Sequence, residues 1–318
     1  MTANAPSIHR QPPESPLVDV MQGCERWRID VLDHGFIALL DAMPRMVPEG
    51  KTADAAIVQA ARVSYGHGTK RVNEDRGLIR YLLRHRHTTP FEMVEFKFHV
   101  AMPVFIARQW IRHRTASVNE YSGRYSIIPD TFYRPAIDQV RKQSASNRQG
   151  GDERFVVFGD SATADAAPTD EHRTAEDFLS YLDDAAAMYA RYEDLTKRGV
   201  SRELARIGLP ISVYTQWYWK CDLHNILRFL SLRLDSHAQF EIRAYAQAMA
   251  ALIEPIVPMT FEAFRDYELG AMRLSRLEIE AMRQSIAGNP ADIASDNKRE
   301  REEWLAKQRA LGIGTGGG

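Results

Sequence analysis

Three arginines, one histidine and one glutamate lie within the fourteen residues from 112 to 125. Arg112, Arg114 and Arg124 face a single acid, Glu120, so their charges are not neutralised within the segment. Guanidinium groups donate paired hydrogen bonds that match the oxygens of a phosphate or a carboxylate. The segment therefore predicts an anion-binding site with a carboxylate beside it that orients a polar ring.

A further arginine, Arg233, stands between Leu232 and Leu234 at the junction of two predicted helices. Because both neighbours are apolar, we expect the guanidinium to be partly desolvated. A desolvated charge needs an anionic or carbonyl partner. Within the chain, Asp235 and Glu241 are the candidate partners.

A metal site is the alternative that the histidines raise. His85 and His87 form a zinc site in this interpretation, completed by His99 or His113. Two histidines two residues apart point away from each other on a helix, and no cysteine or carboxylate pattern completes the set. We therefore predict no metal.

The composition is that of an ordinary soluble protein of 318 residues, with 44% apolar and 26% charged residues. The formal net charge of −1 gives no overall field towards nucleic acid or a membrane, although the basic runs 84–86 and 112–114 leave a nucleic-acid-binding module as an alternative. Cys24 and Cys221 are the two cysteines, which favours a reducing cytoplasm over a disulfide framework. Residues 1–16 lack the apolar core of a signal peptide, and no run approaches the ~20 apolar residues of a membrane helix.

Several catalytic motifs are absent from the sequence. It has no glycine-rich dinucleotide turn after a strand and no phosphate-binding loop. Ser122 does not stand in the nucleophile turn of a hydrolase, and Cys221 is not placed as an activated nucleophile. We therefore expect a bound cofactor to supply the chemistry.

Hydrophobic periodicity and turn residues predict the elements that position these side chains. Alternating apolar residues at 94, 96, 98 and 100 indicate a half-buried strand. Thr89 and Glu92 are spaced as a capping box with Pro90 between them, and Asp222 is a helix cap. The predicted strands are 28–32, 94–100 and 211–220, and the predicted helices are 36–43, 53–63, 73–84, 104–111, 174–198, 223–232, a helix ending at 254, and 271–284.

The chain is predicted to have one main domain with two extensions. Residues 1–25 form a flexible leader, and residues 26–285 form the domain. A polar segment, 138–173, interrupts the domain as an insertion. Residues 286–318 form a charged, glycine-rich C-terminal extension without chemistry of its own.

The basic motif carries a resemblance to a known family. Arg112-His113-Arg114, followed after seven residues by Ser122, resembles the signature of the flavin-dependent thymidylate synthases. The flanking residues 107–110 and 122–125 fit the same family. So do His87-Thr88-Thr89-Pro90-Phe91-Glu92 and the residues 205–210 around Arg206. The resemblance covers about residues 28–270.

This resemblance implies an α+β fold, with a central, largely antiparallel sheet flanked by helices, as in thymidylate synthase-complementing proteins. It implies a cytoplasmic homotetramer whose active sites are shared between subunits. The implied reaction is the reductive methylation of dUMP to dTMP in de novo dTMP synthesis. The carbon donor is 5,10-methylenetetrahydrofolate, and NADPH supplies the reducing equivalents through FAD.

The resemblance also assigns residues to ligands. Arg233 is assigned the catalytic role of favouring ionisation at nitrogen 3 of the uracil ring. His87 is assigned a place near the flavin. The residues assigned to dUMP are Gln109, Trp110, Ile111, Arg112, Glu120, Tyr121, Ser122, Gly123, Arg124, Arg206 and Arg233. The residues assigned to FAD are Thr89, Arg112, His113, Arg114, Glu120, Asp222, Leu223, His224 and Arg228.

Overall fold

The structure is a computed structural model that describes residues 17–20, 27–63, 75–144, 151–155 and 169–313. Cys24 and parts of the predicted insertion lie outside these residues. The chain divides into two compact units, Met1–Phe264 and Arg265–Gly318.

The first unit contains a five-stranded sheet. In chain order, the strands are β1 (Leu17–Asp19), β2 (Arg28–Val31), β3 (Gly35–Met43), β4 (Met46–Pro48), β5 (Glu95–Pro103), β6 (Ser117–Glu120), β7 (Arg141–Gln143), β8 (Gly151–Arg154) and β9 (Tyr214–Asp222). The order in the sheet is β2-β3-β5-β9-β6, and every pairing within it is antiparallel. Two strand pairs, β1-β4 and β7-β8, stand apart from the sheet.

Helices surround this sheet, which confirms the predicted mixture of helices and antiparallel sheet. The helices of the first unit are α1 (Asp54–Val63), α2 (Asp75–Arg84), α3 (Thr89–Glu92), α4 (Val104–Trp110), α5 (Asp170–Ala186), α6 (Met188–Lys197), α7 (Arg202–Ala205), α8 (Leu223–Arg233), α9 (Phe240–Ile253) and α10 (Pro258–Phe264). The second unit contains α11 (Arg276–Ile286) and α12 (Lys298–Leu311). In the described part of the chain, every helix is too short or too polar to cross a membrane.

An aromatic core joins the sheet to helices α4, α8 and α9. Alternate side chains of β5 are fully buried, as their period of two predicts. Trp110 stacks on Phe229 of α8, with ring centroids 4.7 Å apart, and contacts Trp219 of β9 and Tyr245 of α9 edge-on. Because α4 ends in this core, the segment that follows it leaves from a rigid base.

The prediction of a helix over 36–43 is wrong, because these residues form most of β3. Ile37 and Leu39 are buried while Leu40 and Asp41 are exposed, and the register shifts between Leu39 and Asp41. An apolar run of this length satisfies both the helical and the extended pattern, so pairing with β2 and β5 decides between them.

Other predicted boundaries also differ. Residues 17–19, predicted as part of the leader, pair with β4 as β1. The single helix predicted over 174–198 is two helices that meet at Ala187, and the first begins earlier because Thr169 accepts a hydrogen bond from the His172 amide. The predicted capping box at Thr89 is wrong, since Thr88 occupies the cap position and makes no side-chain capping bond.

The second unit has a small core of its own. Trp304 packs with Ala281 and Ile293, and its indole Nε1 donates to the carbonyl of Ala291 at 2.5 Å. Helix α11, which we predicted to be part of the main domain, belongs to this unit and begins at 276 rather than 271. The part of the C-terminal extension that forms α12 is therefore folded and packs through Trp304, so the extension is not wholly exposed.

A buried carboxylate holds two helices of the first unit together. Asp54 lies at the start of α1 and is fully buried. It accepts hydrogen bonds from the amides of Met259 and Thr260 at 2.9 and 3.1 Å and from the Thr260 hydroxyl at 2.6 Å. Burial raises the pKa of this carboxyl, and the hydrogen bonds oppose that rise. Asp54 of α1 therefore accepts hydrogen bonds from backbone N–H groups in the first turn of α10, which have no partner within that helix.

Asp54→Ala is expected to lower the free energy of unfolding by about 3 kcal/mol, because it leaves buried amide donors without an acceptor. Asp54→Asn keeps one acceptor oxygen and should lose less. Urea denaturation of both variants measures the difference. A loss below about 1 kcal/mol in the alanine variant would contradict this role for the carboxylate.

Candidate active site

The basic segment of the sequence includes the edge strand of the sheet. β6 pairs with β9 from Ser117, opposite Lys220, to Glu120, opposite Trp217. Four extended residues span about 13 Å, so the residues before β6 and those after it lie at different ends of the same edge. Two groups of predicted site residues gather at these ends.

The first group, which we call the loop cluster, consists of Ser122, Gly123, Arg124 and Arg206. Arg202 of α7 donates to the Tyr125 carbonyl at 2.6 Å, which fixes α7 against this loop. The Arg124 Nε lies 3.3 Å from a carboxylate oxygen of Glu203, and both side chains are more than half exposed. The structure therefore brings α7, which directly precedes Arg206, against the loop that follows β6.

Gly123 is needed for this close approach. A Cβ at this position would lie 2.8 Å from the Ile128 side chain and 3.3 Å from Cδ of Arg206. A larger residue would require the side chain of Ile128 or of Arg206 to shift. The Arg206 guanidinium has no carboxylate partner among the described residues, so its charge is available to a ligand.

The second group, which we call the helix cluster, consists of Gln109, His113, Arg233 and Gln239. Arg233, at the end of α8, donates from Nε to Nε2 of His113 at 3.2 Å. The amide group of Gln109, near the end of α4, donates to the side-chain oxygen of Gln239. These contacts join the end of α8 and the start of α9 to the end of α4 and the residues that follow it, on the N-terminal side of β6.

The partner of Arg233 is therefore neither acid that we considered. Asp235 accepts from His237, and Glu241 accepts from the Tyr133 hydroxyl. Burial lowers the pKa of the half-buried guanidinium of Arg233. Its four N–H groups other than Nε have no partner in the described part of the chain, which leaves them for a ligand.

His113 is held neutral beside this guanidinium. Burial, and then the charges of Arg233 and Arg228, lower the pKa of the imidazole from 6.5 to about 4. Its ring also packs edge-on against Phe229, with centroids 4.9 Å apart. Because Nε2 accepts the hydrogen bond from Arg233, the proton of the neutral ring is on Nδ1.

Glu120, the single acid of the basic segment, has a partner that the sequence did not indicate. The hydroxyl of Thr215 donates to its Oε1 at 2.8 Å across the neighbouring strand. Thr215 is a polar residue on the buried side of β9, where Trp217 and Trp219 are its apolar neighbours. In the sequence, a threonine among the apolar residues of this strand was the feature that could have indicated a buried polar partner. The hydroxyl therefore helps to fix the carboxylate at the end of β6.

The residues assigned to the flavin lie around the start of α8. Asp222 accepts from the Asn225 amide at 2.9 Å and from its side chain at 2.8 Å, so the predicted cap is confirmed. His224 and Arg228 lie one turn apart on α8, and Arg228 has no hydrogen-bond or ion-pair partner among the residues that the structure describes. Leu223 is fully buried, so only its main chain can reach a ligand.

Two of the residues that the resemblance places at the flavin lie outside α8, in or just before α3. Thr89 is exposed at the start of α3, which packs against α8. His87 is also exposed and stacks on Tyr81, with ring centroids 5.8 Å apart. Their side chains therefore face outward and can take part in a site that another chain completes.

Two residues assigned to the nucleotide have limited freedom, whereas a third does not. The Trp110 indole is fully buried in the aromatic core, so any ligand contact is confined to its main chain. The Tyr121 hydroxyl donates to the Ile127 carbonyl at 2.7 Å and stabilises the loop. Ile111 is partly exposed beside the helix cluster.

Neither cysteine nor metal chemistry is indicated by the described residues. Cys221 is buried, its thiol donates to the Thr115 carbonyl at 3.1 Å, and burial raises the pKa of the thiol. In the part of the chain that the structure describes, no group of three or more histidine, cysteine, aspartate or glutamate side chains is arranged to hold a metal ion.

Uncompensated positive charge is what the two clusters share. Arg112 and Arg114 flank His113, and like Arg206 and Arg228 they lack a carboxylate partner within the described ranges. Such guanidinium groups suit the phosphate or the acidic ring of an anionic ligand.

Comparisons with known proteins identify the family of this chain. The family model described as "Thymidylate synthase complementing protein" matches residues 45–259. A flavin-dependent thymidylate synthase from Dictyostelium discoideum is 58% identical over 304 residues, covering 96% of this chain and 94% of that protein. One from Gluconobacter oxydans (strain 621H) is 50% identical and covers 90% and 88% of the two chains.

A solved structure is similar as well. The UMP/dUMP methylase PolB from Streptomyces cacaoi, bound with 5-Br dUMP, aligns with a TM-score of 0.59 and 32% identity. The alignment covers 76% of this chain and 98% of PolB. Sequence motifs, the family model and the relatives agree, and this chain belongs to the flavin-dependent thymidylate synthases.

Proposed function

We propose that this enzyme methylates dUMP to dTMP, with 5,10-methylenetetrahydrofolate as carbon donor and NADPH as the reductant through FAD. The arginines without carboxylate partners at the two ends of β6 carry the proposal. They match a nucleotide monophosphate, which has a dianionic phosphate and a ring that acquires negative charge during reaction. The names of the relatives and the 5-Br dUMP in PolB support the choice of substrate.

The loop cluster would bind the phosphate of dUMP. Arg124 and Arg206 supply charged donors, and Ser122 and the main chain of Gly123 supply neutral ones. Glu203 competes for Arg124, but both side chains are exposed, so this ion pair is weak and a phosphate can replace it.

The helix cluster would bind the uracil ring. Gln109 offers an amide that can pair with the ring edge, and Arg233 offers the N–H groups that His113 does not use. A guanidinium keeps its proton at any working pH and therefore stabilises negative charge on the ring without exchanging a proton. Partial burial strengthens this effect, because the surrounding dielectric is low.

His113 would position Arg233. A protonated imidazole 3.2 Å from the guanidinium would repel it, whereas the neutral ring accepts a hydrogen bond from Nε. The depressed pKa keeps the ring neutral throughout the physiological range. The electrostatic state of one side chain therefore fixes the orientation of the other.

The donor set near α8 also fits FAD. Arg112, Arg114 and Arg228 are suited to its diphosphate, and His224 and Thr89 offer polar contacts to the rest of the molecule. When bound, FAD supplies the hydride that completes the methyl group, a step for which no protein nucleophile is needed. The Asp222 carboxylate is occupied by Asn225, so we assign it the helix cap and not a flavin contact.

We further propose a cytoplasmic homotetramer in which each nucleotide is bound by two chains. Within one chain the loop cluster and the helix cluster lie at opposite ends of β6, and β6 is the edge strand of its sheet. A second chain placed along this edge can bring its helix cluster to the loop cluster of the first. The exposed positions of Thr89 and His87 support the same arrangement.

Arg233→Ala is expected to reduce the rate of dTMP formation at least about 100-fold, because it removes preorganised charge from the reacting ring. The measurement is anaerobic turnover of dUMP with FAD, NADPH and methylenetetrahydrofolate. Arg198→Ala, which removes an exposed arginine paired with Asp194 on α6, is the matched control and should leave turnover unchanged. Full activity in Arg233→Ala, or no dTMP from the wild type, would contradict the proposal.

Co-expression of Arg206→Ala with Arg233→Ala tests the shared site. Each variant alone is expected to be inactive. If the two clusters of a site come from different chains, random mixing restores both arginines in about one quarter of the sites. Differently tagged subunits allow mixed oligomers to be purified before assay. Mixed oligomers without any regained turnover would show that one chain supplies both clusters.

The neutral state of His113 predicts a pH dependence of stability. The folded pKa, about 4, lies below the ordinary 6.5, so the unfolded chain binds the proton more readily. Stability from this group is complete above pH 6.5 and is lost as the pH falls towards 4.

His113→Gln keeps an acceptor for Arg233 but does not titrate, so its unfolding free energy should fall less across this range than that of the wild type. Urea denaturation at several pH values measures the difference, and the imidazole C2-proton resonance reports the pKa directly. Equal pH slopes together with an ordinary histidine titration would contradict the neutral assignment.

A further inference from the structure

A cavity of about 760 Å³ lies beside the helix cluster and has no role in the mechanism above. Its walls come from α5, from the strand pair β7-β8 and from the segment 236–243, which includes the start of α9. The volume is sufficient for a ligand larger than a single heteroaromatic ring. One of its walls, formed by β7 and β8, belongs to the predicted insertion, 138–173.

Aromatic rings form much of the lining. Phe105 and Tyr133 lie with their ring centroids 5.7 Å apart at one side. Phe178 and Tyr181 of α5 line the cavity while remaining substantially exposed, at 40% and 65%. Large exposed rings around a cavity are unfavourable in water, and a flat ligand between them would remove their apolar surface from solvent.

The lining includes two buried side-chain oxygen atoms that have no hydrogen-bond partner among the described residues. They are Oε1 of Gln139 and Oγ of Ser212. Ser212 is only 7% exposed, so its hydroxyl has little access to bulk water. Because an unsatisfied buried polar group costs free energy, these atoms indicate a ligand with a hydrogen-bond donor on its ring.

Positive side chains dominate the charges around the cavity. Arg141, Lys142 and Arg243 line it, against the carboxylate of Glu241, which accepts from Tyr133. Lys142 lies 2.5 Å from Glu171 and 6.0 Å from the centre of the Phe155 ring. Arg243 donates to the carbonyls of Ser236 and Ala238 and so fixes the wall segment. The excess of positive over negative side chains in the lining favours an anionic ligand.

One wall is common to the cavity and the candidate active site. Gln239 lines the cavity, and its side-chain oxygen accepts from Gln109 of the helix cluster. A ligand that displaces Gln239 would therefore also affect Gln109, the residue that we assign to the uracil ring.

We propose that this cavity binds an amine-bearing heteroaromatic ring with an anionic tail, stacked between the aromatic walls. The ring amine would donate to Oε1 of Gln139, and Lys142 and Arg141 would neutralise the tail. If the proposed function holds, two co-substrates have this chemistry. One is NADPH, through its adenine ring and 2′-phosphate, and the other is the folate, through its pterin ring and glutamate tail.

The test is direct binding to the full-length protein saturated with FAD and dUMP, so that the arginine clusters are occupied. Adenosine 2′,5′-bisphosphate and 5-formyltetrahydrofolate are titrated separately by calorimetry. The variants are Gln139→Leu and Lys142→Ala. The matched control is Lys197→Ala, which also removes a lysine paired with a glutamate, but on the outside of α6.

At least one probe is expected to bind the wild type and the control equally. Its affinity should fall about ten-fold in each cavity variant, since each loses one ligand hydrogen bond or charge contact. The probe that shows this pattern identifies the source of the ligand. Binding of neither probe, or equal affinity in all four proteins, would overturn the proposal.

Thermal melting and flavin content establish that each variant is folded. Should Gln139→Leu melt early, Lys142→Ala carries the test, because its side chain lies at the surface of the cavity. Failure here is distinguishable from failure of the proposed function, since dTMP formation by the wild type is measured without reference to these variants.

Discussion

The pairing of β6 with β9 is the interaction on which the arrangement of the site depends. It attaches a short, polar strand to the edge of an apolar sheet, and the hydrogen bonds of the strand hold the segments on either side of it. β9 is in turn fixed by nine residue pairs with β5 and by the stacked rings of Trp110, Trp219 and Phe229. Arginines that repel one another can lie near this edge because the core below it is rigid.

Unpaired charge is costly to a folded protein unless something binds it, and the chain uses two means to hold it. At the helix cluster, a neutral histidine orients Arg233 without cancelling its charge. At the loop cluster, exposure to solvent keeps Arg124 and its partner Glu203 only weakly associated. Both arrangements leave guanidinium groups ready for a ligand. In this physical sense the two clusters are preorganised for an anionic ligand.

The sequence predicted the elements with clear periodicity and left out the contacts between distant residues. Alternation over 94–100 indicated β5 correctly, and Asp222 was recognised as a cap from its type and place. The short apolar run 36–43 was predicted wrongly because only its neighbours in the sheet make it a strand. The contacts of Gln109 with Gln239 and of Glu120 with Thr215 join residues 130 and 95 positions apart, and local pattern carries no information about them.

The central claim is that arginines from two chains converge on one nucleotide monophosphate, and a crystal structure of the enzyme with FAD and dUMP tests it most directly. We expect Arg124 and Arg206 of one subunit within hydrogen-bonding distance of the phosphate oxygens. Arg233 of another subunit should lie at the edge of the uracil ring, with His113 still accepting from its Nε. A nucleotide bound elsewhere, or one contacted by arginines of a single subunit only, would contradict the account.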